Sequence, residues 1–173
     1  LRLLSPAVLD LGEGLAVNRL HLGLGAGILD LKGRLLPELD LEGGLTKLSL
    51  ESVAALAGKP LIAGLLDAQI RLKGHPDALT GSLNLKASGL KLTGDGGYGL
   101  PPAGLEASLS LKPGANSLDA SAQLGPKGNL KLRGQIGGTL PSAPGTLALR
   151  AEGRIDLGLL DPLLTADGRK LTG

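Results

Sequence analysis

The sequence predicts an all-β protein, built as an elongated antiparallel sheet with one apolar and one polar face. Two observations predict this fold class. Apolar residues, mostly leucine, alternate with polar residues at a period of two, and clusters of Gly, Pro, Asn and Asp separate the alternating segments. A helix requires apolar spacings of three and four, so a segment such as LDLE at 39–42 would spread its leucines around the whole cylinder.

The alternation predicts about ten strands in meander order. The alternating segments are 20–24, 28–31, 39–42, 48–50, 68–73, 83–86, 90–92, 105–112, 118–124, 130–133 and 147–157. Turns are predicted between them at 43–44, 74–77, 94–97, 113–116, 125–128 and 141–145. The glycines at 23, 25 and 27 lack the spacing and the following helix of a dinucleotide-binding loop, so we expect a strand edge or a bulge there.

Two segments break the alternation and predict short helices. The first covers 51–58 and ends at Gly58; in the second, Asp161 caps the helix, Pro162 occupies its first turn and Gly168 ends it. Each follows an alternating strand and precedes another, so this junction is an internal repeat. The predicted organisation is the end of one β module at 1–50, a helix at 51–58, a strand module at 59–157, and a second helix with the start of the next module at 158–173.

The composition excludes several classes of function. The 173 residues include 29 Gly and 11 Pro, a single aromatic residue, Tyr98, and no Cys, which excludes disulfides and thiolate metal sites. The net charge is +2 and the Lys and Arg residues are scattered singly, so the sequence offers nucleic acid neither a basic run nor an aromatic stacking platform. The apolar residues are almost all Leu and Ala, a narrow range of shapes that specifies a packed core poorly.

No group of residues predicts catalysis, a cofactor site or a metal site, and we expect the protein not to be an enzyme. His21 lies on the polar side of a strand and His75 in a turn, and neither has a metal ligand at a usable spacing. Carboxylates occur singly at outward positions, where a solvated sheet face is the expected setting; they include Asp30, Asp40, Glu42, Asp119 and Asp156.

The apolar face of an antiparallel sheet must be covered by a second sheet, by helices or by a ligand. Two short helices cannot cover about ten strands. Two arrangements remain, a closed sandwich and a single curled sheet whose apolar face lines a trough. The alternation is the same in both.

The two helix-containing junctions resemble a known family. The segments concerned read IDLGLLDPLLTADGRKLTG at 155–173 and LAGKPLIAG at 56–64. They resemble the strand, short helix and Gly-Arg element that recurs in the TamB and AsmA-like family, which includes the inner-membrane component of the translocation and assembly module. The leucine-rich style of that family extends over essentially the whole chain, while the junctions supply nearly all of the specificity.

The resemblance implies a β-taco, an extended sheet folded into an apolar trough, as an internal segment of a longer periplasmic protein anchored in the inner membrane. It implies a bridge-like conduit that carries phospholipid acyl chains between the inner and outer membranes, with an Omp85-type outer-membrane partner contacted through regions outside this segment. The residues expected to line the groove are Leu83, Leu85, Leu109, Leu111, Leu118, Ala120, Ala122, Leu130, Leu132, Leu147 and Leu149. In the alternative, the same positions form ordinary sandwich core.

A second function is compatible with the resemblance. Exposed edge strands could pair with nascent outer-membrane strands by β-augmentation, which would make the segment a scaffold for the assembly of outer-membrane proteins such as autotransporters.

Overall fold

The computed structural model describes residues 2–12, 14–56, 62–75, 77–93, 101–126, 128–140, 143–156 and 158, which form one antiparallel sheet of 11 strands and one α-helix. The elements are β1 (Arg2–Leu3), β2 (Leu9–Asp10), β3 (Leu15–Leu24), β4 (Gly27–Leu36), β5 (Leu39–Ser49), α1 (Leu50–Leu56), β6 (Ile62–His75), β7 (Ala78–Leu92), β8 (Ala103–Leu111), β9 (Asn116–Leu124), β10 (Gly128–Thr139) and β11 (Ala143–Ile155). From β3 onward each strand pairs with the next along the chain, while β1 and β2 both pair with β3. The predicted all-β antiparallel meander is confirmed, and the sheet is open.

The strands are longer than the segments that predicted them. β6 has 14 residues and β7 has 15, so β7 is about 50 Å long at the usual rise per residue. The segments 83–86 and 90–92, predicted as separate strands, both belong to β7. The register between β7 and β8 shifts between Ala87 and Leu90, so the chain accommodates this point with a bulge and continues in the same strand.

The turn predicted at 43–44 is wrong, because Gly43 and Gly44 lie inside β5. Gly43 is paired with Leu31 of β4 on one side and Ile70 of β6 on the other. A Cβ at Gly43 would lie 2.6 Å from Leu31 Cδ1 and 3.2 Å from Ile70 Cγ2, so the flanking side chains already fill the space above the glycine. The glycine therefore serves packing across the sheet, not chain reversal.

The chain reverses instead at Gly25 and Ala26, between β3 and β4, where Leu24 pairs with Gly27. Gly25 has a φ of 66°, the left-handed conformation that two-residue hairpin loops require at their first position. A hairpin loop thus occupies the place where the sequence led us to expect a strand edge or a bulge.

The first predicted helix is present as α1, one residue earlier than expected. Ser49 caps it, because its Oγ accepts a hydrogen bond of 3.2 Å from the amide of Ser52. The strands on either side of α1, β5 and β6, pair directly with each other, so the sheet continues past the helix. The second predicted helix, at 161–168, lies outside the described residues, and the division into modules stays a prediction.

The sheet is a single layer. Among the described apolar residues only Val17, Ala87 and Leu111 are buried, whereas a closed sandwich would bury the inner faces of both its sheets. The accessible surface of the chain is 11415 Å², against about 7,900 Å² for a typical folded monomer of this mass. The described strands therefore do not form a closed sandwich.

Two glycines hold neighbouring backbones close together. Gly33 in β4 and Gly81 in β7 have φ values of 129° and 138°, a region that residues with a side chain rarely adopt. A Cβ at Gly33 would overlap the carbonyl oxygen of Asp40, and one at Gly81 would overlap that of Arg71. Both positions therefore require glycine for a backbone contact across the sheet.

At one rim of the sheet, the end of β10 crosses the end of the β8–β9 hairpin and reaches β7. A bulge between Ile136 and Gly138 redirects β10. The carbonyl of Gly138 accepts a hydrogen bond of 3.2 Å from Gly114, and that of Leu140 accepts one of 3.3 Å from Leu79 at the start of β7. In a flat sheet β7 and β10, separated by two strands, would be about 14 Å apart. The two strands therefore converge at this rim.

Asn116 holds this rim together and is only 2% exposed. Its side-chain NH₂ donates hydrogen bonds of 3.0 Å to the carbonyls of both Ile136 and Gly138, and its Oδ1 accepts one of 3.2 Å from the amide of Lys112. One buried amide thus satisfies three backbone groups, including those freed by the bulge in β10.

We expect Gly81→Ala to lower the free energy of unfolding by more than about 1 kcal/mol, because the new Cβ would collide with the backbone of β6 in a conformation unfavourable for alanine. Gly104→Ala in β8 is the matched control, since the nearest atom to its added Cβ would be 3.9 Å away. Urea unfolding followed by circular dichroism measures both. An equal effect of the two substitutions would contradict the backbone contact.

We expect Asn116→Ala to lower the free energy of unfolding by about 2 kcal/mol, because it leaves buried backbone groups without partners. Asn129→Ala is the control, since Asn129 is exposed and makes one long bond of 3.3 Å to the amide of Arg154. Hydrogen exchange of the Leu79 amide should also accelerate in Asn116→Ala alone. An unchanged rate there would show that Asn116 does not hold the rim.

Candidate functional site

The register of the strands aligns apolar residues into rows that cross the sheet on one face. One row crosses nine strands, from β3 to β11, and consists of Leu22, Leu29, Leu45, Ala68, Leu85, Ala107, Ala120, Leu132 and Ala151. A second crosses the same strands and consists of Leu20, Leu31, Gly43, Ile70, Leu83, Leu109, Leu118, Gly134 and Leu149. A third, from β6 to β11, consists of Leu66, Ala87, Leu105, Ala122, Leu130 and Gly153. We call the surface formed by these rows and their rim neighbours the apolar face.

All eleven residues predicted to line a groove lie on the apolar face. Leu85, Ala120 and Leu132 belong to the first row, Leu83, Leu109, Leu118 and Leu149 to the second, and Ala122 and Leu130 to the third, while Leu111 and Leu147 lie nearer the rim, opposite Gly81 and Ile136. Leu111 is 8% exposed, whereas Leu130, Leu147 and Leu149 are 39%, 59% and 50% exposed. The burial of this face therefore decreases towards β11. That these residues contact lipid stays a prediction.

Large and small side chains alternate along the third row, where every second strand supplies Leu and the strands between supply Ala or Gly. Leucines on neighbouring strands can lean over the small residues, as at Gly134, where an added Cβ would collide with the side chain of Leu149. The face is thus packed laterally, within one layer. The prediction from sequence covered only its β7–β11 part, although the alternation in β3–β6 carries the same signal.

The opposite face is polar and its charges are paired across strands. The carboxylate of Glu42 forms ion pairs with Lys32 of β4 at 3.1 Å and with Arg71 of β6 at 3.0 Å. Further pairs join Lys73 to Asp40 at 3.2 Å, Lys86 to Glu106 at 2.7 Å and Arg133 to Asp119 at 3.4 Å. Of the carboxylates expected on a solvated sheet face, Asp40, Glu42 and Asp119 lie on the polar face beside basic residues of adjacent strands. Asp156 lies one residue beyond the end of β11, where its Oδ1 accepts a hydrogen bond of 2.9 Å from the amide of Gly158.

Asp30 joins two basic side chains of β3 on the polar face. Its carboxylate accepts hydrogen bonds of 3.1 and 3.2 Å from Arg19 Nε and lies 2.8 Å from His21 Nδ1. The hydrogen bond from Arg19 lowers the pKa of Asp30 most, the contact with His21 lowers it further, and desolvation opposes both. His75 is the last residue of β6, beside the start of β7, and its Nδ1 lies 3.3 Å from Asp77 Oδ2. Across the described part of the chain, no group of three or more His, Cys, Asp or Glu side chains could hold a metal ion.

Cavities of about 600 and 450 Å³ lie on the polar face, between the long charged side chains. The first is lined by Arg19, Asp30, Lys32, Glu42, Gln69, Arg71 and Asn84, and the second by Lys86, Glu106, Asp119, Lys131 and Arg133 together with small residues of β8 and β9. Most of these charges already have a partner of opposite sign in the same cavity. The cavities therefore belong to a solvated ion-pair surface, and the apolar face is the candidate site.

Comparison with known proteins gives no family for this chain. No protein-family model matches the sequence, and neither the curated proteins nor the solved structures contain a significant match. Within the described residues, no helix has the length and hydropathy to cross a bilayer.

We expect the carboxyl of Glu42 to titrate below the ordinary value of 4.5, because hydrogen bonds from Lys32 and then Arg71 lower its pKa. Since the folded-state pKa is depressed, the stability that this cluster contributes is present above pH 4.5 and is lost as the pH falls through the lowered value. In the variant Lys32→Met/Arg71→Met the pKa should rise towards 4.5, as measured by NMR titration of Glu42 Cδ. Lys91→Met, a distant basic residue of β7, should leave it unchanged. A Glu42 pKa that does not change in the variant Lys32→Met/Arg71→Met would contradict the pairing.

Proposed function

We propose that this chain is a segment of a periplasmic lipid conduit of the TamB and AsmA-like kind. Its apolar face would hold phospholipid acyl chains, and the sheet would curl into a trough that carries them between the inner and outer membranes. The observation that carries the proposal is a continuous apolar face crossing nine strands with no second layer over it among the described residues.

An uncovered apolar face of this extent favours a ligand as its cover. Soluble monomers rarely expose a contiguous apolar patch larger than a few hundred Å², and larger patches mark binding surfaces. On this face, for example, Leu130, Leu147 and Leu149 are between 39% and 59% exposed. The polar face by contrast carries ion pairs that join neighbouring strands from β4 to β10.

The convergence of β7 and β10 supports curvature. The hydrogen bond of 3.3 Å between Leu79 and Leu140 joins strands that a flat sheet would keep about 14 Å apart. The open sheet therefore already departs from planarity at one rim. A trough needs such bending repeated along the sheet, and bulges in five of its strand pairings supply points where strands can bend.

The dimensions and energies suit acyl chains. β8, a strand of nine residues, is about 30 Å long, which exceeds the roughly 15 Å of hydrocarbon in one bilayer leaflet. Burial contributes about 0.8 kcal/mol per CH₂ group, so one acyl chain gains on the order of 10 kcal/mol on the apolar face, similar to what it loses on leaving the bilayer. Transfer along such a surface is nearly neutral in free energy. A neutral path suits a conduit better than a tight receptor.

The narrow range of side chains also suits fluid cargo. A surface of Leu and Ala presents few side-chain shapes, so it discriminates poorly among folded protein partners. Hydrocarbon chains are fluid and adapt to the surface, so they require no matching shape.

A second candidate function is the assembly of outer-membrane proteins by β-augmentation. It is favoured by one observation, namely that β11 has 13 residues and pairs, among the described residues, with β10 alone. Strand addition uses backbone groups of the edge and does not need the apolar lining. A substitution in the lining therefore distinguishes the two functions.

We expect Leu109→Arg to reduce the phospholipid that co-purifies with the protein by about tenfold or more, because placing a charge against an acyl chain costs more than about 1.4 kcal/mol. Ser110→Arg is the matched control, since Ser110 is on the polar face of the same strand, opposite Ser82 and Ser117. Native mass spectrometry and lipid extraction of the protein from a bacterial host measure the loss.

A second pair of variants guards against misfolding. Leu149 is half exposed, so Leu149→Arg should fold, and Ala148→Arg on the opposite face of β11 is its control. Both lining variants should lose lipid and both controls should retain it. Absence of lipid from the unsubstituted protein, or equal lipid in all four variants, would rule out the conduit, and strand pairing that survives Leu109→Arg would favour the scaffold.

A further inference from the structure

The two edges of the sheet differ in their capacity to accept another strand. On the first edge β1 and β2 have two residues each and are separated by a segment containing Pro6, which has no amide proton to donate. On the other edge β11 extends over 13 residues with its only proline, Pro144, at the start. Among the described residues β11 pairs only with β10, so its outer edge has a long row of unpaired backbone groups.

The charges of β11 are only partly complemented by β10, because Glu152 lies opposite Lys131 but the arginines of β11 have no carboxylate opposite them. Arg150 lies opposite Arg133, a like charge, and Arg133 is itself paired with Asp119 at 3.4 Å. The partner of Arg150 is Glu152 of its own strand, with Nε 2.6 Å from Oε1. Where the other described Arg and Lys residues of the polar face form ion pairs, a neighbouring strand supplies the carboxylate. Arg150 would therefore gain from a carboxylate on a strand paired with the outer side of β11.

We propose that β11 pairs antiparallel with β11 of a second copy of this chain, with Ala151 opposite Ala151 on a two-fold axis. In this register Arg150 lies opposite Glu152 of the second copy, and by symmetry Glu152 lies opposite Arg150 of the second copy. The two strands then contribute a cluster of two arginines and two glutamates with opposite charges facing across the interface.

The side-chain sizes agree with the same register. Leu149 lies opposite Gly153 and Leu147 opposite Ile155 of the second copy. A leucine opposite a glycine is the arrangement already seen between β10 and β11, where Gly134 faces Leu149 and Leu130 faces Gly153. Nine residue pairs from 147 to 155 take part, all of them within β11.

Neighbouring registers are less favourable. A register centred on Arg150 places that arginine opposite itself, and one centred on Glu152 does the same for the glutamate. A register centred on Gly153 also pairs opposite charges, Glu152 with Arg154, but it uses a shorter part of β11 and has glycine at its centre.

The two-fold axis of the proposed dimer is perpendicular to the sheet. Residues of one face therefore remain on that face in both copies, and the rows of the apolar face continue from one copy into the other. The pairing depends on the backbone and charges of β11 and not on lipid, so it stands apart from the proposed function.

Charge variants test the register in the full chain by sedimentation equilibrium. The unsubstituted protein should have twice the monomer mass of 17.4 kDa, with and without non-ionic detergent, because detergent disperses contacts between apolar faces but not strand pairing. Arg150→Glu should weaken dimerisation by about tenfold or more, since it places glutamates opposite each other. The charge swap Arg150→Glu/Glu152→Arg should restore it. In the register centred on Gly153 the swap would not restore it, because the arginine introduced at position 152 would face Arg154.

Cysteine crosslinking tests the same register, and the chain has no native Cys to interfere. Ala151→Cys should form a disulfide-linked dimer under mild oxidation, because the two residues 151 lie opposite each other. Ala148→Cys is the matched control, since the two residues 148 would be about 20 Å apart along the strands. Its crosslinking should be at background level.

Three results would overturn the proposal. The first is a protein that remains monomeric at the highest soluble concentration. If the outward amides of β11 in that monomer also resist hydrogen exchange, other residues of the same chain cover this edge. The second is a dimer that detergent dissociates, which would assign the contact to the apolar face. The third is a dimer whose dissociation constant does not change with Arg150→Glu, and in which Ala148→Cys and Ala151→Cys crosslink to the same extent.

Discussion

The separation of apolar and polar residues onto opposite faces of one sheet is the constraint on which the structure depends. A slip of one residue between two strands would exchange their faces and place leucines among the ion pairs. The register shifts lie outside the two central rows, as between Leu45 and Leu48 in β5 or between Ile136 and Gly138 in β10. The central rows, from Leu22 to Ala151 and from Leu20 to Leu149, therefore stay aligned across nine strands.

The fold class could be predicted from sequence because alternation is a local property that survives any tertiary arrangement. Turn positions were less predictable, since glycine serves several purposes. Gly25 reverses the chain, whereas Gly43 makes room for Leu31 and Ile70 inside a strand, and nothing within a few residues of either distinguishes them. Whether the sheet is open or closed was beyond prediction, because the alternation is the same in both cases.

The candidate site was partly predictable for a related reason. Alternation identified which residues share a face, so all eleven predicted lining positions lie on the apolar face. Their neighbours across the sheet, and the partners of the charges, depend on register. Glu42 and Arg71 are 29 residues apart in the chain, and Asn116 bonds to Gly138 at a separation of 22. Asn116 was identified only as a turn residue, since its role arises from a bulge in another strand.

The interruption at Pro6 has a consequence for polymer growth. A sheet with two equally receptive edges can add copies without limit, as amyloid fibrils do, and a leucine-rich β protein is at particular risk. Here the two-residue strands β1 and β2 leave few backbone groups to template a further chain. Among the described strands, an assembly that engages β11 of each copy would leave only these interrupted edges unpaired. The edge formed by β1 and β2 is in this sense a poor template, which limits edge-to-edge growth of a sheet whose apolar face is uncovered among the described residues.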